Sequence, residues 1–279
     1  MGRRDSQRGK QKVKLLRSDS MAFAVARRDN KERELQEEEG NSNIVYTKNA
    51  RGLQLFSCRW VPFPSPKALV FLCHGYAVEC SRFMRVVAET LANAGYAVFG
   101  LDYEGHGRSA GSSKNTKENL GSYMGIQWEA QCATILVAPM CKISAKLVKP
   151  FPIVVNVLTK FEDIIPKWKI VPTKNIISTA FKDRAKREAI RNNKLIYQDK
   201  PRLKTAMEMI RTGMSLEDTL HEVTIPLLVL QGGKDKVTDP EISRALCEKA
   251  SSKDKTIKMY MGMCHGVATE ESDENIMCV

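Results

Sequence analysis

The rhythm of apolar and polar positions changes several times along the chain, and each change predicts an element. Between Leu53 and Val61 the two kinds alternate, as in a strand with one wet face, and the run stops at Pro62, Pro64 and Pro66. Ala68–Cys73 is a short unbroken apolar run, the pattern of a parallel strand covered on both faces. Ser81–Ala94 places Val86, Val87 and Leu91 at helical spacing and ends at Gly95. Tyr96–Leu101 reads as a second buried strand. Strand, helix and strand with short connections predict a βαβ unit and hence a parallel sheet. Further strands are expected at Thr134–Ala138 (before Pro139), at Leu227–Leu230 (before Gly232-Gly233) and at Thr256–Tyr260.

From Lys142 to Asp218 the pattern turns helical, with breaks at Pro150, Pro152, Pro166, Pro172 and Pro201, and predicts an insertion above the sheet. The chain thus divides into an arm over 1–43, one half of a core over 44–141, a helical insertion over 142–218 and the other half of the core over 219–279. The arm is basic at first (Arg3, Arg4, Arg8, Lys10) and then acidic (Glu34, Glu37, Glu38, Glu39). Its weak periodicity predicts disorder, with a short helix near Met21–Gln36. The basic half is compatible with organelle targeting, to a plastid for instance, but the acidic stretch argues against a simple transit peptide. Met1-Gly2 with Ser6 meets the loose myristoylation pattern.

Composition narrows the class. A chain of 279 residues, 43% hydrophobic, has material for one large core. No run nears ~18 apolar residues and no secretory segment opens the chain, so a cytoplasmic protein is expected. Its eight cysteines lack a C-x-x-C pair or zinc-like histidine spacing, which predicts reduced thiols and no metal site. The net charge of +12 is spread along the chain without a nucleic-acid signature. It reads as a solvated surface, or as attraction to an anionic membrane.

Chemistry collects at the strand ends. His74-Gly75-Tyr76-Ala77 follows the first parallel strand, where a glycine lets the next amide, that of Tyr76, point at developing negative charge. By itself this pair is equally an ordinary strand-to-loop turn. The next strand ends in Asp102-Tyr103-Glu104-Gly105-His106-Gly107-Arg108-Ser109. With "LVFLCHGYAVECS", "AGYAVFGLDYEGHGRSAG", "RNNKLIYQDKPRLKTA" and "LHEVTIPLLVLQGGKDKVTDPE", the chain from Ile44 to Met277 resembles the monoacylglycerol lipase-like branch of the α/β-hydrolases, in particular the plant group that includes caffeoylshikimate esterase. The resemblance implies the α/β-hydrolase fold: a mostly parallel sheet with flanking helices and a helical lid over 142–218. It also implies a catalytic acid at Asp235 and a catalytic histidine at His265, within Gly262-Met263-Cys264-His265. As a bare turn and a bare loop residue these two would mean nothing.

The pattern breaks at the nucleophile. The family requires Gly-x-Ser-x-Gly, and the matching stretch is Gly121-Ser122-Tyr123-Met124-Gly125, with Tyr123 in the serine's place and Ser122 one position out of register. The second oxyanion amide would be that of Met124. Lys114–Asn119 is too polar to be the buried strand before it, and Ser112–Ala133 is too short for the family's helix, strand, elbow and helix. A central strand and two helices are therefore expected to be missing, along with the C-terminal helix after "VATEESDENIMCV". Such a loss predicts a chain of low stability. One allowed codon set for the family phrase Tyr-Gly-Asp-Ser-Met-Gly-Gly-Ala-Val, read one nucleotide later, encodes Met124–Cys132 residue for residue.

The resemblance implies, for an intact parent, an acyl-serine ester hydrolase that needs no cofactor. Its partner would be a small acyl ester (a monoacylglycerol, a lysophospholipid or a phenolic ester), in lipid metabolism of a plant. Val154, Val155, Val157, Leu158, Ile164 and Ile165 in the insertion either line an acyl tunnel, touch a membrane peripherally or pack on the sheet. The chain as written is expected to be inactive. The alternatives are a non-catalytic binding protein and a mispredicted gene product.

Overall fold

In the computed structural model, described for residues 43–63, 65–111, 133–141, 161, 164–169 and 176–269, the strands form two sheets. The first has the order β1-β2-β4-β3, with β1 Asn43–Lys48, β2 Gln54–Trp60, β3 Leu69–Cys73 and β4 Ala97–Leu101. Helix α1, Arg85–Asn93, connects β3 to the parallel β4, as the βαβ reading requires. The helix is shorter than expected, because Ser81–Met84 forms turns instead. Strand β1 lay outside the expectation. A six-residue run gives little period-2 signal, and it gains its place by antiparallel pairing with β2. The Asn49 carboxamide oxygen closes the connecting turn by accepting from the amides of Arg51 and Leu53, both at 3.0 Å.

The alternation read in β2 is real. Phe56, Cys58 and Trp60 point to one face and pack with Val98 of β4 and with Cys80 and Ala88 from the β3–β4 crossover. Gly100 is needed there, since a Cβ would come within 2.9 Å of the Cys80 Cβ. The opposite face of this sheet is bare. Leu69 and Phe71 of β3 are 60% and 69% exposed, and Phe71 stacks on Phe99 of β4, 5.6 Å between ring centroids.

The second sheet is wholly parallel, in the order β5-β6-β7, with β5 Thr134–Val137, β6 Leu227–Gly232 and β7 Lys255–Tyr260. Helix α5, Pro240–Lys249, covers one face and buries Leu227, Val229, Leu246 and Ala250. Asp239 caps it by accepting from the Glu241 amide at 3.1 Å, and Pro240 opens the helix at a position that needs no N–H. Among the described residues β3 pairs only with β4 and β5 only with β6, so no strand joins the two sheets. The stretch expected to lack a central strand, residues 112–132, lies outside the described residues; Ile135 and Val137 of β5 are exposed.

The insertion holds the halves together. Helices α2 (Ile176–Ala180) and α3 (Arg184–Asn192) and the loop after them bury Ala180, Phe181, Ile190 and Ile196 against Val78 and Phe83 of the first half and Val237 of the second. Helix α4, Leu203–Thr219, then leads into β6 through a short 3₁₀ turn. Ile164 is 72% exposed and so corrects the option that it packs on the sheet, while Ile165 is half-buried. Val154, Val155, Val157 and Leu158, the arm over 1–42 and the stretch over 270–279 lie outside the described residues. No helix among the described residues is long and apolar enough to cross a membrane.

One contrast follows from the covered and bare faces. Phe56→Ala is expected to cost about 3–5 kcal/mol in urea unfolding, because it empties a fully buried site. Phe71→Ala, which removes the same side chain from the bare face, should cost no more than about 1.5 kcal/mol.

Candidate active site

The end of β6 and the loop after β7 meet in a tight backbone contact. Gly233 N–H donates to the Tyr260 carbonyl at 2.9 Å and Lys234 N–H to the Met263 carbonyl at 2.9 Å. A Cβ on Gly232 would lie 2.0 Å from the Cys264 carbonyl oxygen, so only glycine permits the approach. The insertion fixes the far side of the loop. His265 N–H and Gly266 N–H both donate to the Ala180 carbonyl, at 3.1 and 3.3 Å, and a Cβ on Gly266 would collide with the Phe181 ring.

This scaffold joins the acid and the histidine expected from the sequence. His265 Nδ1 lies 2.9 Å from Asp235 Oδ2. The Asp235 side chain is fully buried and that of His265 30% exposed, so the pair is anchored inside and opens outward. Five donors converge on the carboxylate. Oδ1 accepts from the amides of Val237 (2.7 Å) and Thr238 (3.0 Å). Oδ2 accepts from Gln231 Nε2 (2.9 Å), from Thr238 Oγ1 (2.7 Å) and from the His265 ring. Burial pushes the carboxyl up, but the His265 hydrogen bond and charge, with Thr238 and Val237, outweigh it and hold Asp235 below the usual carboxylate range. An ionised Asp235 can only accept, so Nδ1 of His265 carries the proton and Nε2 keeps a lone pair for use as a base.

Thr238, Gln231 and Ser243 escaped the sequence reading. Ser243 donates to Gln231 Oε1 at 2.7 Å, which turns the Gln231 amide toward Asp235. Thr238 follows Asp235 by three residues, a spacing that suits a hydroxyl closing back on a turn carboxylate. Gln231 and Ser243 carry no such signal, since β6 and α5 bring them together only in the fold.

The His74-Gly75-Tyr76-Ala77 loop lies at the end of β3, and Ala77 has a left-handed φ of 71°. Among the described residues nothing accepts from the Tyr76 amide, as an oxyanion donor requires. His74 is structural. Its Nε2 accepts from Tyr103 N–H at 3.1 Å, so Nδ1 bears the proton and donates to the Gly75 carbonyl at 2.8 Å. Burial lowers its pKa to about 4, so the ring stays neutral. Glu79, also buried, accepts from the amides of Ser81, Arg82 and Phe83 and from Asn193 Nδ2, which ties this loop to the insertion. Asp102 is buried by the Gly107 turn, where a Cβ would lie 1.9 Å from Oδ2. Ser122, Tyr123 and Met124, the positions around the missing nucleophile, lie outside the described residues.

The family described as "Serine aminopeptidase, S33" matches the chain in two pieces, residues 64–123 and 119–272, which meet where the nucleophile motif fails. Caffeoylshikimate esterase of Arabidopsis thaliana is 28% identical over 260 residues, 80% of this chain and 78% of that protein. Monoglyceride lipase of Rattus norvegicus is 24% identical over 257 residues, 80% of this chain and 83% of that protein. A soluble variant of monoglyceride lipase from Saccharomyces cerevisiae, solved with a substrate analogue, superposes with a TM-score of 0.70 at 15% identity, covering 84% of this chain and 90% of that one. These neighbours identify the fold as that of the α/β-hydrolases.

The neutral, buried His74 generates a pH dependence. Its folded pKa lies below the unfolded value near 6.5, so between the two the unfolded chain binds more protons and stability falls with falling pH. At pH 5 the loss attributable to His74 is expected to be about 2 kcal/mol relative to pH 7. Urea unfolding at both pH values checks it: His74→Gln should narrow the gap between them by about that amount.

Proposed function

Because the chain belongs to the "Serine aminopeptidase, S33" family of α/β-hydrolases, we propose that it derives from a carboxylic ester hydrolase of the monoacylglycerol lipase and caffeoylshikimate esterase type, and that as written it retains the acid–base half of the site without the nucleophile. The observation that carries this reading is the five-donor cradle that ionises Asp235 and aims His265 outward. Such a cradle suits an imidazole that takes up a proton and holds the resulting charge. In the intact parent, His265 Nε2 accepts the serine proton as the hydroxyl attacks the ester carbonyl. The Tyr76 amide and that of the residue after the serine stabilise the oxyanion, and His265 protonates the departing alcohol. Water activated at the same nitrogen then hydrolyses the acyl-enzyme. The substrate is a small acyl ester reached from the cytoplasm or from a membrane surface touched by the insertion, and no cofactor takes part.

A second reading, a non-catalytic protein that binds small molecules in the same pocket, is favoured by Tyr123 at the serine position. The gap between β3 and β5 is where an elbow strand would have to pair, which bears on both readings. A fluorophosphonate probe tests the lack of a nucleophile. The chain as written is expected to remain unlabelled, and labelling that disappears in His265→Ala would overturn the reading. Sequencing the native transcript across the codons for Gly111 to Pro139 distinguishes the two histories. An in-frame Gly-Asp-Ser-Met-Gly there marks a working esterase misread in this form, and the codons for Tyr123 and Trp128 mark a binding remnant.

A further inference from the structure

With Tyr123 in the serine's register, one atom of the site is left without an assigned task. In the Asp235–His265 pair Nδ1 faces the carboxylate at 2.9 Å. Nε2, the nitrogen with the lone pair, has no hydrogen-bond partner among the described residues. The Asp235 side chain is fully buried and that of His265 30% exposed, so water meets the ring on the edge away from the carboxylate. The backbone holds the ring in this pose from both sides. His265 N–H donates to the Ala180 carbonyl at 3.1 Å, and the His265 carbonyl accepts from the fully buried Val267 at 2.9 Å. An imidazole that is neutral at Nε2 and backed by a carboxylate at Nδ1 is a general base for a water as well as for a hydroxyl. The ionised carboxylate then stabilises the imidazolium as it forms.

We infer that the chain hydrolyses activated aryl esters without a nucleophilic side chain, by direct attack of a water deprotonated at His265 Nε2. The water oxygen forms the new bond to the ester carbonyl carbon while its proton passes to Nε2. The bond from that carbon to the aryl oxygen then breaks, and the phenolate leaves with the bonding pair. The proton on His265 returns to solvent, so one ester and one water give one carboxylic acid and one phenol. Without an acyl-enzyme to divide the barrier, a single attack must carry all of it. That confines turnover to esters whose leaving group departs unaided and excludes alkyl esters. The inference rests on the Asp235–His265 pair being the acid–base half of a hydrolase site, but it needs no serine.

Release of 4-nitrophenol from excess 4-nitrophenyl acetate, followed with the full chain, tests the reaction. The folded chain is expected to turn over many equivalents, at about a hundred-fold the rate of the same chain unfolded in urea, each corrected for the rate without protein. The rate should fall on acidification, as the base becomes protonated. His265→Gln and Asp235→Asn should each lower it about ten-fold or more. His221→Gln, at an exposed histidine of the 3₁₀ turn, should leave it unchanged. The glycerol monoester of butyric acid should not react above the buffer rate. Release that stops after one equivalent, equal rates for folded and unfolded chains, or turnover that survives His265→Gln would each overturn the inference. So would hydrolysis of the glycerol ester at a comparable rate, which requires an acyl-enzyme. Should the variants fail to fold, carbethoxylation of His265 in the unaltered chain by diethylpyrocarbonate decides: turnover must vanish with it and return with hydroxylamine. NMR titration of the His265 ring separates the two levels. A titration unmoved by Asp235→Asn sinks the acid–base reading itself, whereas a coupled pair that turns nothing over sinks this inference alone.

Discussion

Everything in this molecule depends on a short stretch of chain that spans two half-sheets. Among the described residues no strand pairing connects β1-β2-β4-β3 to β5-β6-β7, and the segment from Ile176 to Tyr197 links them by side chains and single hydrogen bonds. Phe181 and Ile190 supply the apolar contact, Asn193 reaches the buried Glu79, Tyr197 N–H reaches Ala77, and the Ala180 carbonyl takes both His265 N–H and Gly266 N–H. A helical insertion of this kind is read as a cover over a pocket. Here it also fixes the oxyanion loop on one side and the histidine loop on the other, a task that a continuous sheet performs through its ladder.

The acid and the histidine come from one half only. Gly232, Asp235 and Thr238 leave β6, His265 leaves β7, and Gln231 is oriented by Ser243 of α5. Among the described residues none of these contacts crosses the gap between β3 and β5. The Tyr76 loop is held from the first half by His74, Tyr103 and Glu79, and from the insertion by Asn193 and Tyr197. The nucleophile is the one member of such a site that has to stand on the strand between them.

Much of this was legible in the sequence, and the reasons are local. Unbroken apolar runs marked β3, β4 and β6 as strands; β4 and β6 are buried as such runs imply, whereas the expectation that β3 is covered on both faces is corrected, since Leu69, Phe71 and Cys73 are exposed. The phrases around His74, Asp102, Asp235 and His265 carried the site by resemblance, and the structure joins Asp235 to His265 at 2.9 Å. Strand β1 and helix α5 lay outside the expectation: one is six residues long, and the other is signalled only by its Asp239-Pro240 start. Gln231 and Ser243 could not be found that way, since their roles arise from a contact between β6 and α5. The missing central strand was expected from the shortness of Ser112–Ala133, a counting argument rather than a pattern.

The exposed face of β3 also matters for the life of the chain in a cell. Leu69 and Phe71 present to water a strip of the kind that holdase chaperones grip and that degradation machinery samples. Exposure of such a strip is expected to speed clearance relative to a chain whose β3 is covered. A ligand that clamps the two halves together would therefore act first as a stabiliser of the protein's lifetime, and its occupancy would be read out in protein level before any other property changed.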